Sequence, residues 1–146
     1  MKTGLSGIYF EQLYTWGAPG RDPRMRVISV SYYALIPWES IAHPDQGSDF
    51  YPAQEMAQSG ELAFDHAQII RYALERIRNK VNYTDIAFSL VGEEFTLPEL
   101  QKVYEIILGT PLYKANFRKK IAGRIEETEK MTSGGKHRPS RIYRKK

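Results

Sequence analysis

The stretch from Thr96 to Tyr143 leaves few ways to fold. Thr96-Leu97-Pro98-Glu99 is a capping box with proline in the first turn, so a helix starts there. Leu100, Val103, Tyr104, Ile107 and Leu108 recur at helical spacing, and Gly109 ends the run. Thr110-Pro111 then restarts a helix, and LYKANFRKKIA from Leu112 to Ala122 is closed by Gly123. At about 100° per residue, Tyr113, Phe117 and Ile121 share one face of this second helix. Ala115, Arg118, Lys119 and Ala122 lie roughly opposite, with Asn116 on the flank. Two short strands follow, Arg124 to Met131 and Ser140 to Arg144, around Gly134-Gly135. Two helices joined by a tight turn and backed by a β-hairpin read as a winged helix-turn-helix.

Charge agrees with that reading. From Pro111 onward the chain holds twelve of its 21 Lys and Arg residues against three acids, whereas the first part holds nine bases against fourteen acids. Folding alone seldom needs such a split, and docking on a polyanion does. Lys114, Asn116, Arg118, Lys119 and Lys120 on the second helix are the candidate groove-facing residues. Arg or Lys can bond guanine, Asn can bond adenine, and small alanines let the backbone approach. On the hairpin, Lys136, His137, Arg138 and Arg141 would set cations against phosphates or in the minor groove. The bland alternatives are a solvated basic face, contact with RNA, Asn116 supporting the turn, and a frayed Lys145-Lys146 tail.

Residues upstream are β-rich. Ile8 to Thr15 and Val27 to Ile36 are dense in β-branched and aromatic residues and read as strands, separated by a loop over Gly17 to Pro23. The second is apolar on both faces, which predicts a central strand covered on each side. The polar stretch Glu39 to Gly60 is irregular, with room for a short strand. A helix is predicted over about Phe64 to Val81. Asp65 and Gln68 form its capping pair, His66 lies in its first turn, and Ile69, Ile70, Ala73, Leu74, Ile77 and Val81 make an apolar stripe. It reads as a linker between two domains.

Composition narrows the classes further. With 42% apolar residues and no cysteine, the chain can bury a core but holds no disulfide, thiolate metal site or cysteine nucleophile. No apolar run approaches the ~18 residues of a membrane span, and no signal core opens the chain, so a soluble cytoplasmic protein is expected. His43, His66 and His137 lack metal-ligand spacing.

Several segments, in order, resemble the Nudix-related transcriptional regulators (NrtR). They are Glu11-Gln12-Leu13-Tyr14-Thr15, Gly20-Arg21-Asp22-Pro23-Arg24 and Val27 to Leu35, followed by Leu62-Ala63-Phe64-Asp65-His66-Ala67. Next come Glu94-Phe95-Thr96-Leu97, Glu99-Leu100-Gln101 and Asn116-Phe117-Arg118-Lys119-Lys120, then Arg138-Pro139-Ser140-Arg141-Ile142-Tyr143-Arg144. The resemblance implies an α+β chain: a partial Nudix-like β/α domain (1–62), a closing helix (63–82) and a winged helix-turn-helix (83–146). It implies a bacterial repressor of genes for NAD metabolism that binds double-stranded DNA as a homodimer and is released by an ADP-ribose-like effector.

The Nudix box itself is where the chain departs from the pattern. Thr3-Gly4-Leu5 matches the tail of that box, but Met1 and Lys2 stand where two metal-holding acids belong. An N-terminally truncated regulator without pyrophosphate hydrolysis is therefore expected, with a short variant that dimerises over its exposed sheet as the alternative. Mg²⁺ and ADP-ribose would be needed only by a complete Nudix domain, so no cofactor is expected. Arg21 and Arg24, on either side of Asp22, could clamp a diphosphate. The competing reading is an ion pair internal to their loop. Two further alternatives remain: a hydrolase fragment of the ADP-ribose pyrophosphatase type, and a basic module bound to RNA or the ribosome.

Overall fold

A computed structural model describes residues 10–37, 49–133 and 139–146. The chain divides into two compact units, 1–80 and 81–146.

In the first unit, β1 (Glu11–Trp16) and β2 (Ser29–Tyr33) form an antiparallel pair with a bulge between Gln12 and Tyr14. A one-turn helix, α1 (Ala53–Met56), follows in the stretch where the sequence leaves room for a short strand, and then α2 (His66–Lys80). The α2 helix lies against one face of the pair. Tyr72 packs its ring on Tyr14 and Trp16 at 5.4 and 5.5 Å, and Lys80 closes an ion pair on Glu11 at 2.5 Å. Each ion of that pair favours the other's charge, so the Glu11 carboxyl titrates below its usual range and the Lys80 amine above its own.

The opposite face of the pair corrects a sequence expectation. Val30 and Tyr32 of β2 are 49% and 58% exposed, and among the described residues β2 pairs with β1 alone. Apolar side chains on both faces of a strand do not by themselves specify a second covering layer.

The second unit opens with a 3-10 helix, Ile86–Leu90, and a short strand, β3 (Glu94–Thr96), neither of which the sequence reading anticipated. Then come α3 (Leu97–Leu108), α4 (Lys114–Ile121), a 3-10 turn over Ala122–Arg124, β4 (Ile125–Met131) and β5 (Arg141–Lys145). The sheet is antiparallel with order β3-β5-β4, so the hairpin gains a third strand from the segment that leads into α3. The core gathers Val81, Ala87, Phe95, Leu100, Tyr104, Phe117, Ile121 and Ile125. Every element of the unit except β5 and the Ala122–Arg124 turn supplies a buried residue, and the β5 residue Tyr143 packs on the cluster from its edge. Burial of apolar area is thus what holds the helix pair on the sheet.

Candidate nucleic-acid interface

The α3 helix begins as expected. Thr96 Oγ1 accepts from the Glu99 N–H at 3.4 Å, and Glu99 Oε2 accepts from the Thr96 N–H at 2.7 Å. It ends at Gly109, whose φ of +70° is costly for any residue with a Cβ. The restart comes later than Thr110-Pro111: α4 starts at Lys114, with Tyr113 in extended conformation as its N-cap residue. Tyr113 therefore leaves the inner face assigned to it and is 83% exposed, while Phe117 and Ile121 are 2% and 0% exposed. Phe117 meets Tyr104 edge to face at 5.3 Å.

Two side chains to which the sequence assigned no role, Gln101 and Glu105, lock the turn between these helices. Gln101 Nε2 donates to the Leu112 carbonyl at 2.8 Å, and the Leu112 N–H donates to Glu105 Oε1 at 2.9 Å. Gln101 Nε2 also reaches Glu105 Oε1 at 2.9 Å. Both polar groups of the Leu112 backbone are thereby satisfied from one helix face, four residues apart. The Leu112 N–H, and then the Gln101 amide, hold the Glu105 carboxyl below the usual carboxylate range.

With its inner face fixed, α4 presents Lys114, Ala115, Asn116, Arg118 and Lys119 outward, all exposed. Among the described residues, the side chains of Lys114, Arg118 and Lys119 make no hydrogen bond or ion pair. Lys120 differs. Its amine donates to Asn82 Oδ1 at 2.9 Å and lies 5.3 Å from the centre of the Tyr104 ring, so it is tied to the body of the unit.

The hairpin is also less free than its cation count suggests. Arg141 bridges to Glu127 at 2.7 Å, Arg144 to Glu126, Lys130 to Glu94 at 2.7 Å and Lys145 to Asp85 at 2.9 Å. The β4–β5 register sets Glu126 directly across from Arg144. Near the tip, the Thr132 N–H donates to the Ser140 carbonyl, and the Ser140 N–H donates to Thr132 Oγ1 at 2.8 Å. Lys136, His137 and Arg138 lie outside the described residues.

In the first unit, the loop with Arg21, Asp22 and Arg24 is occupied by its own charges. Arg21 makes a two-pronged bridge to Asp65, at 2.7 and 2.8 Å, and donates to Ser29 Oγ at 2.8 Å. Asp65 thus directly precedes α2 as anticipated, but its carboxylate pairs with the distant Arg21. Arg24 holds Asp22 through two side-chain bonds and its backbone N–H, and its guanidinium covers the Phe64 ring at 4.8 Å. Phe64 adopts a φ of +52°, a strained choice for an aromatic residue, which these contacts hold in place. The Arg24 guanidinium, then its N–H, draw the Asp22 carboxyl down to about 2. The ion pair between Asp22 and Arg24 is internal to the loop, whereas that of Arg21 reaches out of it. An anion at this loop would have to displace a carboxylate. Among the described residues no three His, Asp or Glu side chains are grouped so that they could hold a metal ion.

The comparisons with known proteins meet this geometry at both units. Residues 87–144 match the NrtR DNA-binding winged helix domain. The chain is 40% identical over 147 residues to the ADPR responsive transcriptional repressor NtrR of Acinetobacter baylyi, covering 98% of this chain and 58% of the repressor. It superposes on the crystal structure of Shewanella oneidensis NrtR with a TM-score of 0.81 at 34% identity, over 99% of this chain and 68% of that one. The chain belongs to the NrtR family. A second structure of Shewanella oneidensis NrtR, complexed with a 27mer DNA, matches with a TM-score of 0.82 at 35% identity, over 99% of this chain and 68% of that one. A MutT/nudix family protein from Enterococcus faecalis matches at 28% identity with a TM-score of 0.67, over 94% of this chain and 61% of that one. An NrtR-family chain is α+β, Nudix-like and then winged helix, as the sequence resemblance implied. This one spans 58% of the length of the Acinetobacter repressor. Among the described residues, none of its helices is long and apolar enough to cross a membrane.

Proposed function

We propose that this chain binds duplex DNA as a transcriptional repressor of the NrtR type and answers to ADP-ribose or a close relative. One observation carries the DNA reading. The side chains of Lys114, Arg118 and Lys119 stand exposed, with no hydrogen bond or ion pair among the described residues, on a helix that Phe117 and Ile121 anchor. The DNA-bound Shewanella relative supports the same reading, and the name of the Acinetobacter repressor supports the effector class. In this reading α4 enters the major groove, Asn116 and Arg118 meet base edges, and the hairpin holds neighbouring phosphates through Arg141. The chain works as a homodimer that spans two half-sites, with no membrane partner and no resident cofactor.

Binding to duplexes selected from a random pool tests the assignment. Arg118→Ala and Lys119→Ala should each weaken the selected duplex by about 1–3 kcal/mol where the side chain reads a base, and weaken all duplexes modestly and alike where it meets phosphate. Unchanged affinity in both variants rejects the recognition-helix assignment. The Enterococcus similarity keeps the hydrolase alternative testable: AMP released from ADP-ribose and Mg²⁺ by the purified chain would establish it.

A further inference from the structure

Resting on the DNA reading above, we infer that Lys102 of α3 is a phosphate contact of the interface and completes a seat for the DNA backbone on the flank of α4 away from the hairpin. A helix with its side chains is about 10–12 Å across, close to the width of the major groove at about 12 Å, so a helix that enters the groove brings both flanks against sugar-phosphate walls. The α4 helix is bordered by a crevice on each flank, and Arg118 lines both. One, about 380 Å³, opens toward the hairpin residues Glu127 and Tyr143. The other, about 320 Å³, opens toward α3 and is lined by Pro98, Gln101, Lys102, Glu105, Lys114 and Arg118 among others.

The hairpin supplies contacts to the first wall. Only α3 and the start of α4 can serve the second, and there three cations converge: Lys102, Lys114 and Arg118. The one carboxylate in that lining, Glu105, has Oε1 engaged by the Leu112 N–H and the Gln101 amide. It withdraws one unit of charge from the crevice and leaves a net surplus of two positive charges. That surplus is unspent within the unit, because Lys114 and Arg118 make no ion pair among the described residues. A phosphodiester takes up such a surplus, and the released counterions add to affinity.

The test is Lys102→Gln in the full chain, read by the anisotropy of a labelled random-sequence duplex and of a selected duplex, each over a salt series. Lys102 is exposed, so the variant folds, which circular dichroism verifies. Affinity for both duplexes should fall by the same factor, roughly fivefold at low salt, and the slope of log affinity against log salt should lose about one unit. Lys130→Gln, which removes an amine already held by Glu94, should move neither quantity. Wild-type affinity and slope in the Lys102 variant would overturn the seat while leaving the DNA reading intact, as would a loss confined to the selected duplex. A wild-type chain that binds no duplex at low salt would overturn both.

Discussion

Removing the ring of Phe117 tests whether the exposed face of α4 depends on its buried one. Phe117 is 2% exposed, stacks edge to face on Tyr104 at 5.3 Å, and shares a core with Ile121 and Leu100. Truncating a buried Phe to Ala costs about 3–5 kcal/mol, the upper part reflecting a cavity that neighbours cannot fill. The lost ring pair contributes about 0.5–1.5 kcal/mol beyond area. At about 0.05–0.15 kcal/mol per residue, the whole unit over 81–146 is stable by roughly 3–10 kcal/mol, so Phe117→Ala removes from about a third to all of that margin. For a domain of this size each kcal/mol shifts the melting point by about 4–8 °C, so a fall of at least roughly 12 °C is expected. Phe117→Leu keeps much of the volume and should lose about 1–2 kcal/mol while binding duplex DNA nearly as the wild type does. Thermal melts followed by circular dichroism, with anisotropy on the folded variants, decide the matter. A melting point within about 4 °C of wild type for Phe117→Ala would refute the view that this ring anchors the helix.

Two further outcomes follow from the charge pairs. Glu127→Gln frees Arg141 from its carboxylate, so affinity for duplex DNA should rise several-fold and its salt dependence steepen; equal binding at two salt concentrations would show that Arg141 meets no phosphate. Asp22 titrates near 2 in the folded chain against an ordinary 3.8, so its pairing with Arg24 stabilises the first unit fully above about pH 4 and is lost as pH falls toward 2. Acid unfolding of that unit should therefore lose part of its steepness between those values in Asp22→Asn, and an identical profile would contradict the assignment.

What the chain announces locally, it mostly delivers. The Thr96–Glu99 box, the Gly109 stop and the buried Phe117–Ile121 face all depend on neighbours within a few residues, which a linear reading can weigh, whereas the stripe assigned to α2 is only half-buried and its last member, Val81, lies beyond that helix in the core of the second unit. The misses come from a helix boundary and from partners far away in sequence. Tyr113 shares the 3.6-residue spacing of Phe117, but spacing does not say where the helix starts, and Tyr113 falls just before it. Lys120 and Arg141 read as open cations because Asn82 and Glu127 lie 38 and 14 residues away. Asp65 fits a capping template, and only the folded chain brings Arg21 to it. Charge counting overstates the interface for the same reason. Arg124, Lys130, Arg144 and Lys145 are absorbed by Asp85, Glu94 and Glu126, which among the described residues leaves a short unpaired set on α4.

The strand order β3-β5-β4 has a consequence for biosynthesis. The middle strand is the last one translated, so while Arg141–Lys145 are still inside the ribosome, Glu94–Thr96 and Ile125–Met131 have no shared neighbour to zip against. A nascent chain stalled short of Ser140 would expose two unpaired strand edges and an uncovered flank of the core, a form suited to chaperone capture or proteolysis.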